Sequence, residues 1–424
     1  MALIVQKFGG TSVGSIEKIQ RVAKIITDTV EQGNHVVTVV SAMGHSTDAL
    51  VEMAKQINPD PSGREYDALL ATGEMVTTSL LAMTLNSMGY PAVGFNGGQA
   101  GVKTEDLHNR ARILEINTQN LQQQLGNNTI VIVTGFQGLD STGNITTLGR
   151  GGSDTSAVAL AGALKADRCD IYTDVTGVYS TDPRVVKEAV KLDRVTYIEM
   201  MELARVGAQV LHPRAVETAK HGNVKLCVRS TFELDNPGTL IVGVQDMETQ
   251  RSVVGVACDN DQARIAMVGV PDRPGIAAEI FGSLANNNVS VDMIIQSLSH
   301  KDGGEAPTND IAFTVNADEL NEAMKVLTDV QAQINATDLV VDDGIAKVSI
   351  VGAGMVDRPG IAADMFKSLA AAGINIRMIA TSEIKISCLV DKDQANHAIQ
   401  VIHDIFFPEA AGAKPALVDK KLGY

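Results

Sequence analysis

The chain contains no tryptophan, and aromatic residues make up only 4% of its 424 residues. Hydrophobic residues still reach 45%, so alanine, valine, isoleucine and leucine must fill the interior. Side chains of this kind suit the packed strand and helix layers of an α/β protein. The length exceeds that of an average domain and predicts two or three domains.

Three further shortages exclude classes of protein. Positive charge is scarce, and a net charge of −15 argues against nucleic acid or an anionic membrane as a partner. The four cysteines form no CxxC pair, so we expect reduced structural thiols rather than a zinc or redox site. No apolar run reaches the length of a membrane span, and the first residues resemble a strand rather than a signal peptide. We therefore expect a soluble cytoplasmic protein.

Residues 7–12 (Lys-Phe-Gly-Gly-Thr-Ser) have the features of an anion-binding turn. They follow an apolar run at 2–5, and a segment with helical spacing of apolar residues begins at Ser15. Glycines let the backbone approach a ligand, and a helix start offers unpaired N–H groups. The lysine precedes the glycines, so the stretch is neither a P-loop nor a dinucleotide loop. Taken alone, it fits an ordinary strand-to-helix turn equally well.

Two later loops carry further candidate residues. Residues 149–156 (Gly-Arg-Gly-Gly-Ser-Asp-Thr-Ser) precede a helix predicted at 157–166, which Ser153 or Asp154 would cap. Arg150 offers a planar guanidinium group for a carboxylate or phosphate. The third loop, residues 173–184, follows a predicted strand, and parallel sheets bind ligands at the carboxyl ends of strands. A long polar loop without a ligand explains this third loop equally well.

Glu74 lies in a helix predicted at 66–88, among apolar neighbours that indicate partial burial. A buried carboxylate needs a partner. A substrate ammonium group would serve, and so would a structural lysine or arginine. The sequence alone favours the structural residue.

The first 240 or so residues alternate apolar strand-like runs with helical stretches. This order predicts a mainly parallel sheet covered by helices on both faces. The predicted strands are at 2–5, 36–40, 130–133, 170–172 and 224–228.

The carboxyl-terminal part contains an internal repeat. Residues 272–278 (Asp-Arg-Pro-Gly-Ile-Ala-Ala) recur at 357–363, and the same offset relates 289–294 to 374–379. A constant register predicts two copies of one small domain, each of β-α-β-β-α-β type. A strand at 338–341 would complete the first copy. The second copy has only 416–418 after its last helix, so a strand at 252–257 is a candidate to complete it by crossing over.

These features predict four regions in the chain. They are a first domain at 1–244, a linker plus crossing strand at 245–263, a first repeat at 264–343 and a second repeat at 344–424.

The three loops, together with the stretch at 41–44 (Ser-Ala-Met-Gly), resemble the aspartate kinases of the amino-acid kinase superfamily. The paired repeat resembles two ACT domains, which bind amino acids. The resemblance covers nearly the whole chain. It implies transfer of a phosphoryl group from ATP, with Mg²⁺, to the side-chain carboxylate of L-aspartate, which opens the route to lysine, threonine and methionine. An ionised carboxylate needs no general base, so catalysis reduces to positioning and charge stabilisation.

The resemblance also implies residue roles. Lys7 would stabilise the transferring phosphoryl group and Asp154 would orient Lys7. The implied aspartate ligands are Ser41, Thr47, Glu74 for the ammonium group, Arg150 for the α-carboxylate, and Ser153. The implied ATP contacts are Lys7, Gly9, Gly10, Thr173, Asp174, Tyr179, Asp182, Arg184 and Gln209.

Gln209 is a departure from the family pattern. Many relatives have lysine at this position of the Gly-Ala-x-Val-Leu-His segment, where it neutralises phosphate. Either Lys7 and Mg²⁺ suffice in this chain, or a nearby lysine or arginine substitutes.

The ACT resemblance implies regulation and assembly. Edge strands of ACT domains pair between chains, so we expect a homo-oligomer with feedback inhibition by lysine, threonine or both. The alternative is that the repeats serve only dimerisation. The candidate effector contacts are Asp272, Asp292 and Gln296 in the first copy and Ile374, Asn375, Thr381 and Ser382 in the second. Met247 lies before the repeats, where some relatives start a separate short regulatory subunit.

Two other functions stay open at this stage. The first alternative is a kinase for another amino acid or a nucleotide. The second is an inactive kinase scaffold that senses amino acids. The paired repeat and the Phe-Gly-Gly-Thr-Ser start disfavour the first, and the intact charged positions disfavour the second.

Overall fold

The computed structural model describes residues 1–208, 210–246, 251–297, 307–355 and 358–408. The helices in these residues are α1 (Ile16–Glu31), α2 (Ser46–Ile57), α3 (Arg64–Ser87), α4 (Gln119–Gly126), α5 (Gly152–Leu164), α6 (Tyr197–Arg205), α7 (Pro213–Gly222), α8 (Ile276–Asn286), α9 (Leu320–Ile334), α10 (Ile361–Ala371) and α11 (Ala395–Phe406). The strands are β1 (Leu3–Phe8), β2 (His35–Val40), β3 (Ala92–Phe95), β4 (Val102–Thr104), β5 (Ile113–Ile116), β6 (Ile130–Thr134), β7 (Gln137–Leu139), β8 (Ile145–Thr147), β9 (Arg168–Thr173), β10 (Arg194–Thr196), β11 (Leu226–Ser230), β12 (Thr239–Val242), β13 (Gly255–Pro271), β14 (Ile294–Gln296), β15 (Thr308–Asn316), β16 (Asp338–Val351), β17 (Met378–Thr381) and β18 (Lys385–Asp391).

The chain divides into two compact units. The amino-terminal unit comprises Met1–Tyr179, Lys191–Arg205 and Gln209–Thr249. The carboxyl-terminal unit comprises Ser180–Val190, Val206–Ala208 and Gln250–Tyr424. Two short segments from the first half of the chain therefore belong to the carboxyl-terminal unit.

An eight-stranded sheet forms the centre of the amino-terminal unit, in the order β10-β12-β11-β9-β1-β2-β6-β3. Neighbouring strands run parallel except β11 and β12. The predicted mainly parallel sheet is confirmed. Because β1, β2 and β9 are parallel neighbours, the residues that follow Phe8, Val40 and Thr173 lie at one edge of the sheet. We call this the carboxyl edge.

Helices cover both faces of this sheet, as the apolar strands predict. Val36 and Val40 of β2 share a core with residues of α1 and α3. Val37 and Val39 are buried as well, although side chains alternate between the two faces along a strand. Helix α5 contacts β1, β2 and β9. A strand buried at consecutive residues is typical of parallel sheets covered on both sides.

Helix α3 is long and apolar enough to cross a membrane by length and composition, and it is the only such helix among the described residues. It also packs on β3, β6 and α1, with Leu81 and Leu85 fully buried. It carries two buried carboxylates, Asp67 and Glu74. These contacts identify α3 as a core helix of the amino-terminal unit.

A small sheet in the order β5-β4-β7-β8 lies beside α3 and is not among the predicted elements. Its strands are only three or four residues long and give no clear alternation. Asp67 ties α3 to this sheet: its carboxylate accepts hydrogen bonds from the amide of Thr147 (3.0 Å), the hydroxyl of Thr147 (2.6 Å) and the amide of Asn109 (3.1 Å). This anchor fixes the position of α3 along its axis.

The carboxyl-terminal unit contains a six-stranded antiparallel sheet in the order β14-β15-β13-β16-β18-β17. Strands β13 and β16 are long because each serves both repeats. Residues 255–259 of β13 pair with the end of β16, and residues 264–268 pair with its beginning. The strand before the first copy thus completes the second copy, while the start of β16 completes the first. Each copy has its own core, one around Phe313 and the other around Val348.

Two strands of the repeats differ from the prediction. The alternating patterns at 289–294 and 374–379 predict strands, but β14 begins only at Ile294 and β17 at Met378. Val289 and Ile374 instead are buried in the two repeat cores, so the early part of each pattern reflects packing against the cores. The candidate strand at 416–418 and Asp357 of the repeated turn lie outside the described residues.

Replacing Asp67 with Ala is expected to lower the free energy of unfolding of the amino-terminal unit by about 3 kcal/mol, because several buried donors lose their acceptor. Urea unfolding would measure the loss. Asp106→Ala is the control, since Asp106 also accepts two hydrogen bonds, from Ser141, but is exposed. Equal losses in the two variants would contradict the anchoring role of Asp67.

Candidate active site

A buried ion pair occupies the carboxyl edge of the sheet. Lys7, next to last in β1, places its Nζ 2.5 Å from Oδ1 of Asp154 in the first turn of α5. Both side chains are largely shielded from water. The pair joins the first and second predicted loops, and it holds a cation in a fixed position at the carboxyl edge.

The start of α5 differs from the prediction that Ser153 or Asp154 caps it. The helix begins at Gly152, and its N-cap is Gly151 in the left-handed region, with φ +69°. A Cβ at Gly151 would lie 2.2 Å from Cβ of His212, so only glycine fits there. The earlier start places Asp154 inside the first turn, where a carboxylate interacts favourably with the helix dipole and meets Lys7.

A short 3-10 helix separates the glycine turn after β1 from α1. Residues Gly10–Ser12 form a short 3-10 helix, and α1 begins only at Ile16, with Ser15 as its N-cap. The amide of Gly9 donates to the carbonyl of Tyr172 (3.2 Å) and is therefore already engaged. A Cβ at Gly10 would lie 3.0 Å from the carbonyl oxygen of Ala42. The glycines thus allow close packing of this turn against the loop after β2.

Glu74 lies on the buried face of α3, with 3% of its surface exposed. Its Oε1 accepts a hydrogen bond from the amide of Ala42 (3.1 Å), while Oε2 has no partner among the described residues. Burial raises the pKa of Glu74 from its usual 4.5 to about 7. The sequence favours a structural lysine or arginine as the partner of Glu74. This prediction is wrong for the described part of the chain, where neither carboxylate oxygen binds such a residue.

Close packing fixes Glu74 beside the loop after β2. A Cβ at Gly73 would lie 2.8 Å from Cβ of Ala42, so α3 approaches this loop directly. Ser41 precedes Ala42, and its amide donates to the carbonyl of Phe8 (3.1 Å). Thr47 follows in the first turn of α2. The structure therefore places Glu74 of α3 against the loop that carries Ser41 at the carboxyl edge.

Two more residues of the second loop flank the ion pair. Ser153 packs against Gly135, which follows β6, since a Cβ there would lie 2.7 Å from Cβ of Ser153. Arg150 is exposed. Burial is the main cause that lowers the pKa of His212; the charge of Asp154 opposes this shift, and the positive charges of Arg214 and Arg150 add to it. An exposed guanidinium group at this loop is free to meet an anion.

The third loop begins at the carboxyl end of β9. The hydroxyl of Thr173 donates to Oδ1 of Asp174 (3.1 Å), and the hydroxyls of Tyr179 and Thr176 lie 2.6 Å apart. Tyr179 also forms a backbone bridge with Lys191.

Asp182 and Arg184 belong to the segment Ser180–Val190 of the carboxyl-terminal unit. They pair with each other, with 2.7 Å between Nη2 of Arg184 and Oδ2 of Asp182. The hydrogen bond from Arg184 lowers the pKa of Asp182. The guanidinium group expected to meet phosphate therefore already has a carboxylate partner. Gln209 lies outside the described residues.

A cleft of about 760 Å³, which no motif in the sequence predicts, lies at the carboxyl end of β11. Its lining residues are Lys191, Asp193 and Phe232 to Pro237. Its volume is within the range of small-molecule sites. Phe232 and its neighbours follow a parallel strand at the carboxyl edge, which is the one signal that points to them in the sequence.

The candidate effector residues lie in the carboxyl-terminal unit. Asp272, Gln296, Asn375, Thr381 and Ser382 are exposed. Gln296 belongs to β14 and Thr381 to β17, and these are the opposite edges of the six-stranded sheet. A single chain therefore does not bring these two residues together.

The other two candidates have partners inside the fold. Ile374 is buried in the second core, so only its backbone is available to an effector. Asp292 binds Nζ of Lys347 (2.7 Å). Burial alone would raise the pKa of Asp292, but the hydrogen bond and charge of Lys347 hold it below the usual value.

Comparison with known proteins assigns both units. Residues 2–230 match the model of the amino acid kinase family, and residues 265–331 and 348–406 match an ACT domain. The chain is 51% identical to an aspartokinase from a Bacillus species (strain MGA3) over 406 residues, which are 96% of this chain and 97% of the relative.

Two crystal structures of aspartokinase III from E. coli are also similar, each 28% identical and aligned with 96% of this chain. The complex with aspartate and ADP, in the R-state, has a TM-score of 0.79 and is covered completely. The complex with lysine and aspartate, in the T-state, has a TM-score of 0.74 and is covered to 99%.

Replacing Glu74 with Gln is expected to flatten the pH dependence of stability in the ligand-free protein. Folded Glu74 keeps its proton up to its pKa of about 7, whereas the unfolded group ionises near 4.5. The folded state thus binds more protons between these values, and stability falls as pH rises through this window, by up to about 3 kcal/mol. The neutral amide of Gln abolishes this loss.

Urea unfolding at pH 5 and pH 8 would measure the difference. Glu65→Gln, at an exposed position of the same helix, is the control and should keep the slope of the unchanged protein. If Glu74→Gln keeps that slope too, Glu74 is ionised in the folded protein.

Proposed function

The chain belongs to the aspartokinase family, and from this membership we propose that its amino-terminal unit holds ATP and L-aspartate at the carboxyl edge of the eight-stranded sheet. The protein transfers the γ-phosphoryl group of ATP to the side-chain carboxylate of L-aspartate, giving 4-phospho-L-aspartate and ADP. Its co-substrate is ATP with Mg²⁺ on the phosphates. The buried ion pair between Lys7 and Asp154 carries the assignment of the site.

Lys7 is the group that lets two anions approach each other. The attacking carboxylate is already ionised at neutral pH, so the site needs no base to create the nucleophile. A cation is needed instead, because negative charge accumulates between the γ-phosphate and the carboxylate. Asp154 holds Nζ of Lys7 in place before the substrates bind, and a fixed charge costs no reorganisation during the reaction.

Glu74 and Arg150 hold L-aspartate by the two groups on its α-carbon in this proposal. Within the described ranges, Oε2 of Glu74 has no hydrogen-bond partner, and burial raises the pKa of this carboxyl group. The ammonium group of L-aspartate supplies a cation and returns Glu74 to its ionised form. The exposed guanidinium of Arg150 binds the α-carboxylate in a bidentate manner. Ser41, Thr47 and Ser153 offer hydroxyl groups around this position.

ATP binds along the same edge in this proposal, with its phosphates near Lys7 and Gly10. Thr173, Asp174 and Tyr179 lie in the loop after β9, and the cleft beside Lys191 gives room for the adenosine part. Gly9, Asp182, Arg184 and Gln209 remain predicted contacts. Gly9 and Arg184 must exchange their present partners to contact a phosphate directly.

We also propose feedback control through the ACT repeats, by lysine, threonine or both. The T-state structure of the E. coli relative contains lysine. Because Gln296 and Thr381 lie on opposite edge strands, one effector site with both residues needs two chains. Pairing of these edges in a homo-oligomer meets this requirement. Three points stay predictions: a cytoplasmic location, the domain boundaries at 244, 264 and 344, and a short regulatory subunit that starts near Met247. Met247 lies outside the described residues.

Trapping the acyl phosphate with hydroxylamine tests the reaction. We expect ATP-dependent hydroxamate from L-aspartate and far less from L-glutamate or N-acetyl-L-glutamate. Asp154→Asn should lower kcat about 100-fold or more, since Lys7 loses the charge that positions it. Asp106→Asn, at an exposed position of the same unit, should keep full turnover. Hydroxamate formation by Asp154→Asn at the rate of the unchanged protein would exclude the proposed role of the pair.

Replacing Thr381 with Ile tests the placement of the effector site. The larger apolar side chain on edge strand β17 should remove inhibition by lysine or threonine while turnover without effector stays unchanged. Inhibition curves with each amino acid, alone and combined, measure this effect. Thr328→Ile, on the exposed side of α9, is the matched control. Unchanged inhibition in Thr381→Ile would place the effector elsewhere.

A further inference from the structure

The loop that carries predicted nucleotide contacts is not held by the amino-terminal unit alone. Val178 accepts a hydrogen bond from the amide of Leu192, and Ser180 donates its amide to the carbonyl of Val190 (2.8 Å each). Residues 178–192 thus form a hairpin. Its arms near Tyr179 and Lys191 belong to the amino-terminal unit, and the part from Ser180 to Val190 belongs to the carboxyl-terminal unit.

Ser180 is bonded to the second ACT repeat. Its hydroxyl oxygen lies 2.9 Å from Nε2 of His403 in α11, and both side chains are fully buried. The same oxygen accepts the amide of Val190 (2.8 Å), which leaves the hydroxyl hydrogen for Nε2. Burial lowers the pKa of His403 and keeps its ring neutral, as an acceptor requires. Nδ1 of His403 has no partner in the described ranges, so Ser180 is the polar group that fixes the ring.

Two further contacts hold the same segment. The carbonyl of Ser180 accepts the amide of Val256 in β13 (2.7 Å). Val186 is fully buried in the core of the second repeat, together with Met365 and Ile399. The imidazole of His403 stacks on Phe407, with 4.7 Å between ring centroids, which also restrains its orientation. The segment is therefore part of the folded repeat rather than a loop resting on it.

A second segment shows the same arrangement independently. Gly207 precedes the predicted nucleotide contact Gln209 by two residues and belongs to the carboxyl-terminal unit. Its φ is +112°, and a Cβ there would lie 2.0 Å from the carbonyl oxygen of Cys258 in β13. Only glycine allows this approach. Both chain segments that lead into the predicted nucleotide contacts are thus built against β13.

We propose that Ser180 and His403 are positioning residues of the nucleotide site, through which the second ACT repeat sets the affinity of the enzyme for ATP. The inference rests on the proposed function, because it takes the loop at 173–184 as the ATP loop. Tyr179 is bonded covalently to Ser180, and Asp182 follows two residues later. A shift of Ser180 relative to α11 therefore moves Tyr179 and Asp182. The proposed aspartate ligands lie on other elements.

The test compares four variants, three single and one double, by steady-state kinetics. Ser180→Ala and His403→Phe each remove the hydrogen bond, and His403→Phe leaves the acceptor of Val190 intact. Each should raise KM for ATP about three- to tenfold, with kcat and KM for L-aspartate within about twofold of the unchanged protein. Ser180→Thr keeps the hydroxyl and should restore most of the ATP affinity. The double variant should be no worse than the poorer single variant, because both lose the same bond.

Ile280→Val is the control, since it trims a buried side chain in the core of the first repeat. It should lower Tm to a similar extent without changing KM for ATP. The proposal is overturned if KM for ATP stays within about twofold in Ser180→Ala and His403→Phe, or if KM for L-aspartate rises equally.

Calorimetric binding of ADP separates this inference from the proposed function. If the unchanged protein forms no aspartyl hydroxamate but binds ADP, the proposed reaction fails while the inference is still tested by weaker ADP binding in Ser180→Ala. If hydroxamate forms normally and the variants bind ADP as the unchanged protein does, the inference alone fails. A protein that binds no nucleotide overturns both.

Discussion

The proposed active site depends on the ion pair between Lys7 and Asp154, which fixes a cation at the place where our proposal has two anions react. A lysine side chain loses much conformational freedom when it is held in one position. The chain meets this cost with a carboxylate from the first turn of α5, which binds Lys7 before any substrate arrives. That carboxylate is in place because Gly151 starts the helix early and lets it pass against His212. Gly151 of the second loop thus helps to fix the position of Lys7, because it places Asp154 beside it.

Glu74 shows the opposite arrangement, a buried carboxyl group for whose Oε2 the described part of the chain offers no partner. A carboxylate at 3% exposure without a cation is costly, and its pKa of about 7 expresses this cost. Asp67, two turns earlier on α3, is also fully buried but has every donor it needs. Helix α3 therefore carries two different buried carboxyl groups. Asp67 has its hydrogen-bond donors and anchors the helix, whereas Glu74 has an oxygen available for a ligand. This contrast favours a binding role for Glu74 over a structural one.

Periodicity and spacing predicted the parallel sheet, most of its strands and the paired repeat, because these depend on patterns local to each element. The resemblance also named Lys7 and Asp154, which the structure brings together. The cap of α5, the partner of Glu74 and the small sheet beside α3 were not predictable in this way. Each is decided by a contact with a distant element: His212, Ala42 and Asp67, respectively.

The two repeats share strands β13 and β16, and these strands offer a route by which the repeats act on the proposed nucleotide site. Strands β13 and β16 each run through both repeats, so the two repeats share their central strands. The segments around Ser180 and Gly207 are built against β13 and continue directly into the segments with the proposed nucleotide contacts. Coupling between distant sites requires an element that both of them bias. Strand β13 is this element in our proposal, since it runs through both repeats and contacts both segments.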